Sequence, residues 1–101
     1  MKNNEYIMHE DAENSWLQVP LQDCLSLGLL EEISSNSYVN ISGTLIFLDN
    51  ITDAPTFISA AEKAGWTLDI RPVYQNYSHV RAMKQYDIAM VRAHVDRSQK
   101  N

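Results

Sequence analysis

Residues 44–71 read TLIFLDNITDAPTFISAAEKAGWTLDIR, and this pattern predicts a strand, a tight loop, a helix and a second strand in that order. Residues 44–48 form an apolar, β-prone run too short for an independent helix, so we expect a buried strand that ends at Asp49. Residues 66–71 alternate apolar and polar side chains, which is typical of a half-buried strand, and Pro72 is expected to stop regular pairing. If both strands share a sheet, the helix is a right-handed crossover between parallel neighbours. An antiparallel placement in an α+β sheet is the alternative.

The helix of this unit has its own start and stop signals. Asp53 favours an N-cap, because its carboxylate can accept from the free amides of the first turn. Pro55 suits that turn, where a missing N–H costs nothing. Gly65 favours a left-handed position just after the helix, with Trp66 folding back on it in a Schellman arrangement.

The first 43 residues predict two hairpins and one short helix. Residues 6–8 and 16–19 are strand candidates that pair across a turn-rich segment. Pro20 opens a short helix that ends at Gly28. Residues 38–39 pair with the strand that follows them, across a loop in which a glycine is free to take a positive φ.

The C-terminal segment carries a weaker helical pattern. Ser78 is expected to cap a helix, and from Arg92 onward no apolar stripe continues, so that end is expected to fray. We therefore predict one compact domain over residues 1–87, with residues 88–101 as a helical extension or a frayed tail. The fold class is α+β, or a small α/β fold, built from short β-hairpins and the strand-helix-strand unit at residues 44–71.

Charge and composition limit the function classes. The net charge is -5, with -6 in residues 1–32 and +4 in residues 71–101; this acidic total makes direct binding to nucleic acid unfavourable. The single cysteine, Cys24, excludes an internal disulfide, and the first residues lack the apolar run of a signal peptide. No run of about eighteen apolar residues is present to span a membrane. The sequence therefore predicts a cytoplasmic protein.

Eight short motifs are spaced along the chain. They are HED at 9–11, WLxVP at 16–20, LG at 27–28, IS at 33–34, SY at 37–38, FLD at 47–49, DAxxF at 53–57 and SxVR at 78–81. Over residues 6–86 this pattern resembles a group of small uncharacterised proteins encoded by tailed bacteriophages and prophages. The resemblance implies a phage accessory protein that binds and modulates a bacterial host protein or defence complex. Anti-defence inhibitors, including the anti-CRISPR type, are one form of such a protein.

The sequence contains no P-loop, dinucleotide fingerprint, nucleophile elbow or paired-cysteine zinc motif. We therefore predict a non-enzymatic binding protein, with no catalytic residue, no metal and no cofactor. Aromatic and charged side chains that could face a partner are the candidate contacts. They are Glu10, Asp11, Glu13, Trp16, Tyr74, Tyr77, His79 and Arg81.

Three alternatives are open from the sequence. A small metal-dependent hydrolase or nuclease would use carboxylates near the end of the central strand together with a histidine; its residues would be His9, Asp11, Asp49 and Asp53. The acidic N-terminal third could mimic nucleic acid and occupy a basic groove. A homo-oligomeric assembly protein is the third.

Overall fold

The computed structural model describes residues 3–76 and 79–99 and shows an α+β fold. The strands are β1 (Asn3–Glu10), β2 (Ser15–Pro20), β3 (Tyr38–Val39), β4 (Leu45–Asp49), β5 (Thr67–Tyr74) and β6 (Lys84–Gln85). The helices are α1 (Leu21–Ser26), α2 (Asp53–Lys63) and α3 (Ile88–Gln99), with a 3₁₀ helix at His79–Ala82. Both predicted hairpins are present, β1 with β2 and β3 with β4.

All six strands belong to one mixed sheet with the order β5-β1-β2-β4-β3-β6. β1 and β5 are parallel, and every other pair is antiparallel. It follows that β1, β4 and β5 run in the same direction, but β1 and β2 lie between β4 and β5. The prediction that the two strands around α2 are neighbours is wrong, because the N-terminal hairpin occupies the space between them.

One face of the sheet packs against the helices and forms the main core. Alternation along the strands places Leu17, Val19, Ile46 and Leu48 on this face, all completely buried. From α2, the buried side chains of Ala54 and Phe57 belong to the same core. α3 adds Val91, which is 3% exposed.

The opposite face is only partly covered. Trp16 and Phe47 project from β2 and β4 on this side, and Val80 of the 3₁₀ helix packs over them with Met83 beside it. Beyond this cover, exposed charged side chains lie on the same face of β5 and on the adjoining part of β1, as the strand register shows. The sheet therefore has a second, smaller core and an open margin along β5.

The two ends of α2 differ from each other in how well they were predicted. The C-terminal end is confirmed: Gly65 has φ 84°, and Trp66 N–H donates to the Ala61 carbonyl at 3.0 Å, as in a Schellman motif. At the N-terminal end the prediction is wrong, because the N-cap is Thr52 and no side chain caps the helix. Asp53 is the first helical residue, and its carboxylate turns toward an upstream loop.

Pro72 does not stop β5, contrary to prediction, and pairs with Met8 inside the parallel ladder. The bond from Gln75 N–H to the Glu10 carbonyl, at 2.8 Å, fixes which residues of β5 turn their backbone toward β1. Those are the odd-numbered ones, since the direction alternates along a strand. The backbone of Pro72 therefore faces the outer edge, where no N–H is required.

The segment after residue 78 is also different from the single helix predicted for it. The 3₁₀ helix, the short strand β6 and α3 follow one another there. The imperfect apolar repeat serves two surfaces, because Val80 packs on one face of the sheet and Val91 on the other. Val95 lies one turn beyond Val91 and also packs on the main core, so the expectation that the chain frays from Arg92 is wrong. The predicted cap, Ser78, lies outside the described residues.

Within residues 3–76 and 79–99, no helix combines the length and the apolar character needed to cross a bilayer.

Candidate functional site

The four residues of the hydrolase alternative have separate hydrogen-bond partners, except that Asp49 and Asp53 are linked through Ser37 and Thr52. His9 is 8% exposed and lies on the partly covered face, where its Nε2 is 2.7 Å from Gln18 Oε1. Asp11 shapes the turn of the first hairpin, since its Oδ1 accepts the amides of Glu13 at 3.0 Å and Asn14 at 2.9 Å.

Asp49 closes the loop between β4 and α2. Its Oδ2 accepts the backbone amides of Ile51 and Thr52, both at 3.1 Å, and the Thr52 hydroxyl at 3.2 Å. A buried acidic side chain is stable there because these donors satisfy its oxygen with hydrogen bonds. The role of Asp49 is thus to fix the turn that leads into the helix.

Asp53 holds the loop before β3 against the start of α2. Its Oδ2 accepts from the Ser34 amide at 3.0 Å, the Ser34 hydroxyl at 2.8 Å and the Ser37 hydroxyl at 2.5 Å. Ser37 Oγ in turn accepts the Asp49 amide at 2.8 Å, which ties β4 to the same network. These contacts account for a carboxylate that is 4% exposed.

Metal chemistry has no assembled ligand set in the described part of the chain. Among those residues, no three His, Cys, Asp or Glu side chains are placed to hold an ion. Cys24, on the buried side of α1, is fully buried, and desolvation raises the pKa of its thiol to about 12, with the charges of Asp23 and Asp53 adding to the effect. A thiol held in this form is a poor nucleophile near neutral pH.

A different set of side chains meets at one end of the sheet, where β1, β4 and β5 all terminate. The register of the parallel pair places Glu10 beside Tyr74, whose side chain is 60% exposed. Asp11 and Glu13 follow in the hairpin turn. The loop after β4 begins at the same end of the sheet, because the Asn50 amide donates to the Ser15 carbonyl at 3.2 Å.

Apolar side chains are also exposed at this end of the sheet, and the consecutive residues Val73 and Tyr74 lie on opposite faces of β5. Ile51 is 75% exposed and Val73 is 38% exposed. We call this surface the acidic end; it consists of Glu10, Asp11, Glu13, Ile51, Val73 and Tyr74. The combination of carboxylates with an exposed tyrosine and two aliphatic side chains suits a partner that offers basic groups around an apolar recess.

The other predicted contact residues have different positions. Trp16 is 1% exposed and packs in the smaller core, so its side chain is not a surface contact and that prediction is wrong. His79 is exposed, and its ring lies edge-on to that of His9, with centroids 5.0 Å apart. Arg81 lies in the 3₁₀ helix, but its side chain is not among those described, and Tyr77 falls outside the described residues.

Sequence reasoning missed two members of the acidic end. Ile51 was not selected, because a single apolar residue in a loop is common on protein surfaces and is not by itself a sign of a contact. Val73 was not singled out, because Pro72 was expected to end the strand before it. Once β5 continues past Pro72, the alternation of a strand places Val73 on the open margin of the sheet.

Comparison with protein-family profiles, with curated proteins and with solved structures finds no match for this chain.

Proposed function

We propose that the protein is a non-enzymatic binding protein that uses the acidic end to bind and modulate a bacterial host protein. The observation that carries this proposal is the exposed side chain of Tyr74 beside Glu10, next to the carboxylates of the hairpin turn. Tyrosine is among the residues that contribute most at protein interfaces. Together with the motif resemblance, this surface supports a phage or prophage accessory role in the bacterial cytoplasm, directed at a host protein or a defence complex.

The chemistry of the acidic end defines the partner. Three carboxylates steer a basic surface into place and accept hydrogen bonds from lysine or arginine at the rim of an interface. Ile51, Val73 and Tyr74 supply apolar area that is exposed to water in the free protein. Binding would remove that area from water, so affinity comes chiefly from the apolar contacts and selectivity from the charges.

Mimicry of nucleic acid is less well supported by the same structure. Glu5 lies 3.7 Å from Arg71, and Glu31 pairs with Arg92. Asp23 is 5% exposed. The negative charge of residues 1–32 is therefore divided among local contacts, whereas a mimic needs an extended row of unpaired carboxylates.

The test is quantitative capture from bacterial lysate at near-physiological salt. The bait is the full chain, compared with a Tyr74→Ala variant and with a Glu10→Gln/Glu13→Gln variant. We expect a stoichiometric partner to be retained by the wild type and lost, by about tenfold or more, with Tyr74→Ala. The double variant should chiefly weaken capture at low salt, since its effect is electrostatic.

Ile41→Ser is the matched control, because Ile41 is fully exposed in the loop between β3 and β4, at the other end of β4. This variant removes an exposed apolar side chain without touching the acidic end, so capture should be unchanged. Equal loss of the partner with Ile41→Ser and with Tyr74→Ala would contradict the assignment of the surface. Absence of any stoichiometric partner from lysates of several bacterial hosts would contradict the function itself.

A further inference from the structure

The outer edge of β5 is the long unpaired edge of the sheet. Within residues 3–76 and 79–99, β5 has eight residues and pairs on one side only, with β1, whereas β6 at the opposite edge has two residues. An open edge of this length presents backbone donors and acceptors that another strand can satisfy. Exposed side chains near it determine which strand fits.

We propose that a second copy of the chain occupies this edge, with the two β5 strands antiparallel about a two-fold axis at Ile70. The backbones of Leu68, Ile70, Pro72 and Tyr74 face outward, because the odd-numbered residues face β1. With Ile70 on the axis, each Ile70 N–H donates to the Ile70 carbonyl of the other copy. Each Leu68 N–H donates in the same way to a Pro72 carbonyl, so Pro72 removes a donor from the pair without removing an acceptor.

Charge selects this register. Asp69 and Arg71 are exposed on the same face of β5, and the two-fold axis at Ile70 places Asp69 of each copy directly opposite Arg71 of the other. A shift of the axis by one residue, from Ile70 to Arg71, would place Arg71 opposite its own copy, and that like-charge pair opposes association.

The surroundings of Asp69 favour an incoming arginine. In the parallel register, the neighbour of Asp69 on β1 is Glu5, another carboxylate. Glu5 Oε1 lies 3.7 Å from Nη2 of Arg71 in the same copy. Within the described residues, Asp69 has no ion pair of this kind. An arginine from a second copy would neutralise this carboxylate, which faces a like charge on one side and open solvent on the other.

On the helix side of the sheet, the same axis brings apolar side chains together. Leu68 and Ile70 are partly buried and pack against the main core. In the dimer, Ile70 would meet Ile70, and Leu68 would meet Pro72, so that apolar surface at the margin of each core is covered by the other. Opposite charges on one face and apolar contacts on the other make the pairing specific for a second β5.

Charge reversal tests the register directly. We expect the wild type to show a concentration-dependent dimer in sedimentation velocity. Asp69→Arg and Arg71→Asp should each weaken it roughly thirtyfold, because attraction becomes repulsion at two symmetric positions. An equimolar mixture of the two variants should form heterodimers, since each then offers the charge that the other lacks. The double variant D69R/R71D should dimerise by itself.

Glu62→Arg is the control, a charge reversal at an exposed position of α2 away from the edge, and it should leave the dimer unchanged. Native mass spectrometry of size-labelled variants identifies the heterodimer in the mixture. A wild type that remains monomeric at every accessible concentration overturns the proposal. So do single variants that dimerise as well as the wild type, or a mixture that fails to recover association. Circular dichroism of each single variant should match the wild type, as both positions are exposed.

Discussion

Replacement of Asp53 by alanine removes the acceptor from a buried hydrogen-bond network, and its cost follows from the donors left behind. The Ser37 hydroxyl is fully buried and donates to Asp53 at 2.5 Å, so leaving it without an acceptor costs about 1–3 kcal/mol. The amide and hydroxyl of Ser34 are only partly buried, and water can replace part of what they lose, which adds about 1 kcal/mol. We expect Asp53→Ala to lower the free energy of unfolding by about 3 kcal/mol, out of roughly 5–15 kcal/mol for a domain.

Equilibrium unfolding in urea, followed by tryptophan fluorescence and circular dichroism, measures this change. Asp53→Asn keeps one acceptor oxygen and should lose about half as much. Glu62→Ala, at an exposed position of the same helix, should change stability by less than about 0.5 kcal/mol. In a double-mutant cycle, Ser37→Ala and Asp53→Ala should cost less together than the sum of the two, since both remove one shared bond. A loss below about 1 kcal/mol for Asp53→Ala would refute the structural role assigned to this carboxylate.

Two further predictions concern alkaline pH and glycine geometry. Burial raises the pKa of the Cys24 thiol from 9.0 to about 12, so the unfolded chain ionises first; stability should be complete below pH 9.0 and fall by about 1 kcal/mol per pH unit above it. Urea titrations at stepped pH should show this slope. Cys24→Ala should reduce it between about pH 9 and 10, while lowering stability at neutral pH; above that range Tyr6 and Tyr86 add to the slope, because burial raises the pKa of their hydroxyls as well. Gly28 and Gly43 both have positive φ. A Cβ added to Gly43 would lie 3.2 Å from His94 Cγ, whereas a Cβ added to Gly28 would have no heavy atom within 4 Å. Gly28→Ala should therefore cost only the conformational strain, about 1 kcal/mol, and Gly43→Ala clearly more; equal shifts in Tm would show that His94 yields freely.

Local sequence signals predicted local structure well. The two hairpins depend on turn residues that lie between apolar runs, and the ends of α1 and α2 depend on glycines that alone tolerate a left-handed backbone. Gly28 and Gly65 both take that conformation. Signals of this kind act over a few residues, so they can be read without knowledge of the rest of the fold.

Long-range pairing could not be read in the same way. The sequence between β4 and β5 specifies a helical connection, but it does not specify which strands lie between them. The hairpin at the N-terminus competes for that space, and its affinity for β4 and β5 depends on register and side-chain fit across the sheet. Asp53 shows the same limit. Its carboxylate accepts hydrogen bonds from two serines instead of capping the helix, and those serines are sixteen and nineteen residues away.

The candidate surface was predicted in part. Glu10 lies beside Tyr74 and Asp11 follows it in the chain, but these residues were selected for their chemical type and not for any predicted proximity. Trp16 was included on chemical type as well, and it is buried because its position in β2 points to the smaller core. Burial of an aromatic residue depends on which face of a strand is covered, and the cover here comes from Val80, more than sixty positions later in the chain.

The position of β1 between β2 and β5 has a consequence for synthesis on the ribosome. β2 emerges soon after β1 and can pair with it, but the second neighbour, β5, is not available until residue 74 has left the exit tunnel. Until then the even-numbered backbone groups of β1 have no partner strand, and the nascent chain carries an open edge next to a nearly complete hairpin. A pause in translation before residue 67 would prolong that state, so the yield of native protein should be sensitive to codon usage and chaperone supply over this interval.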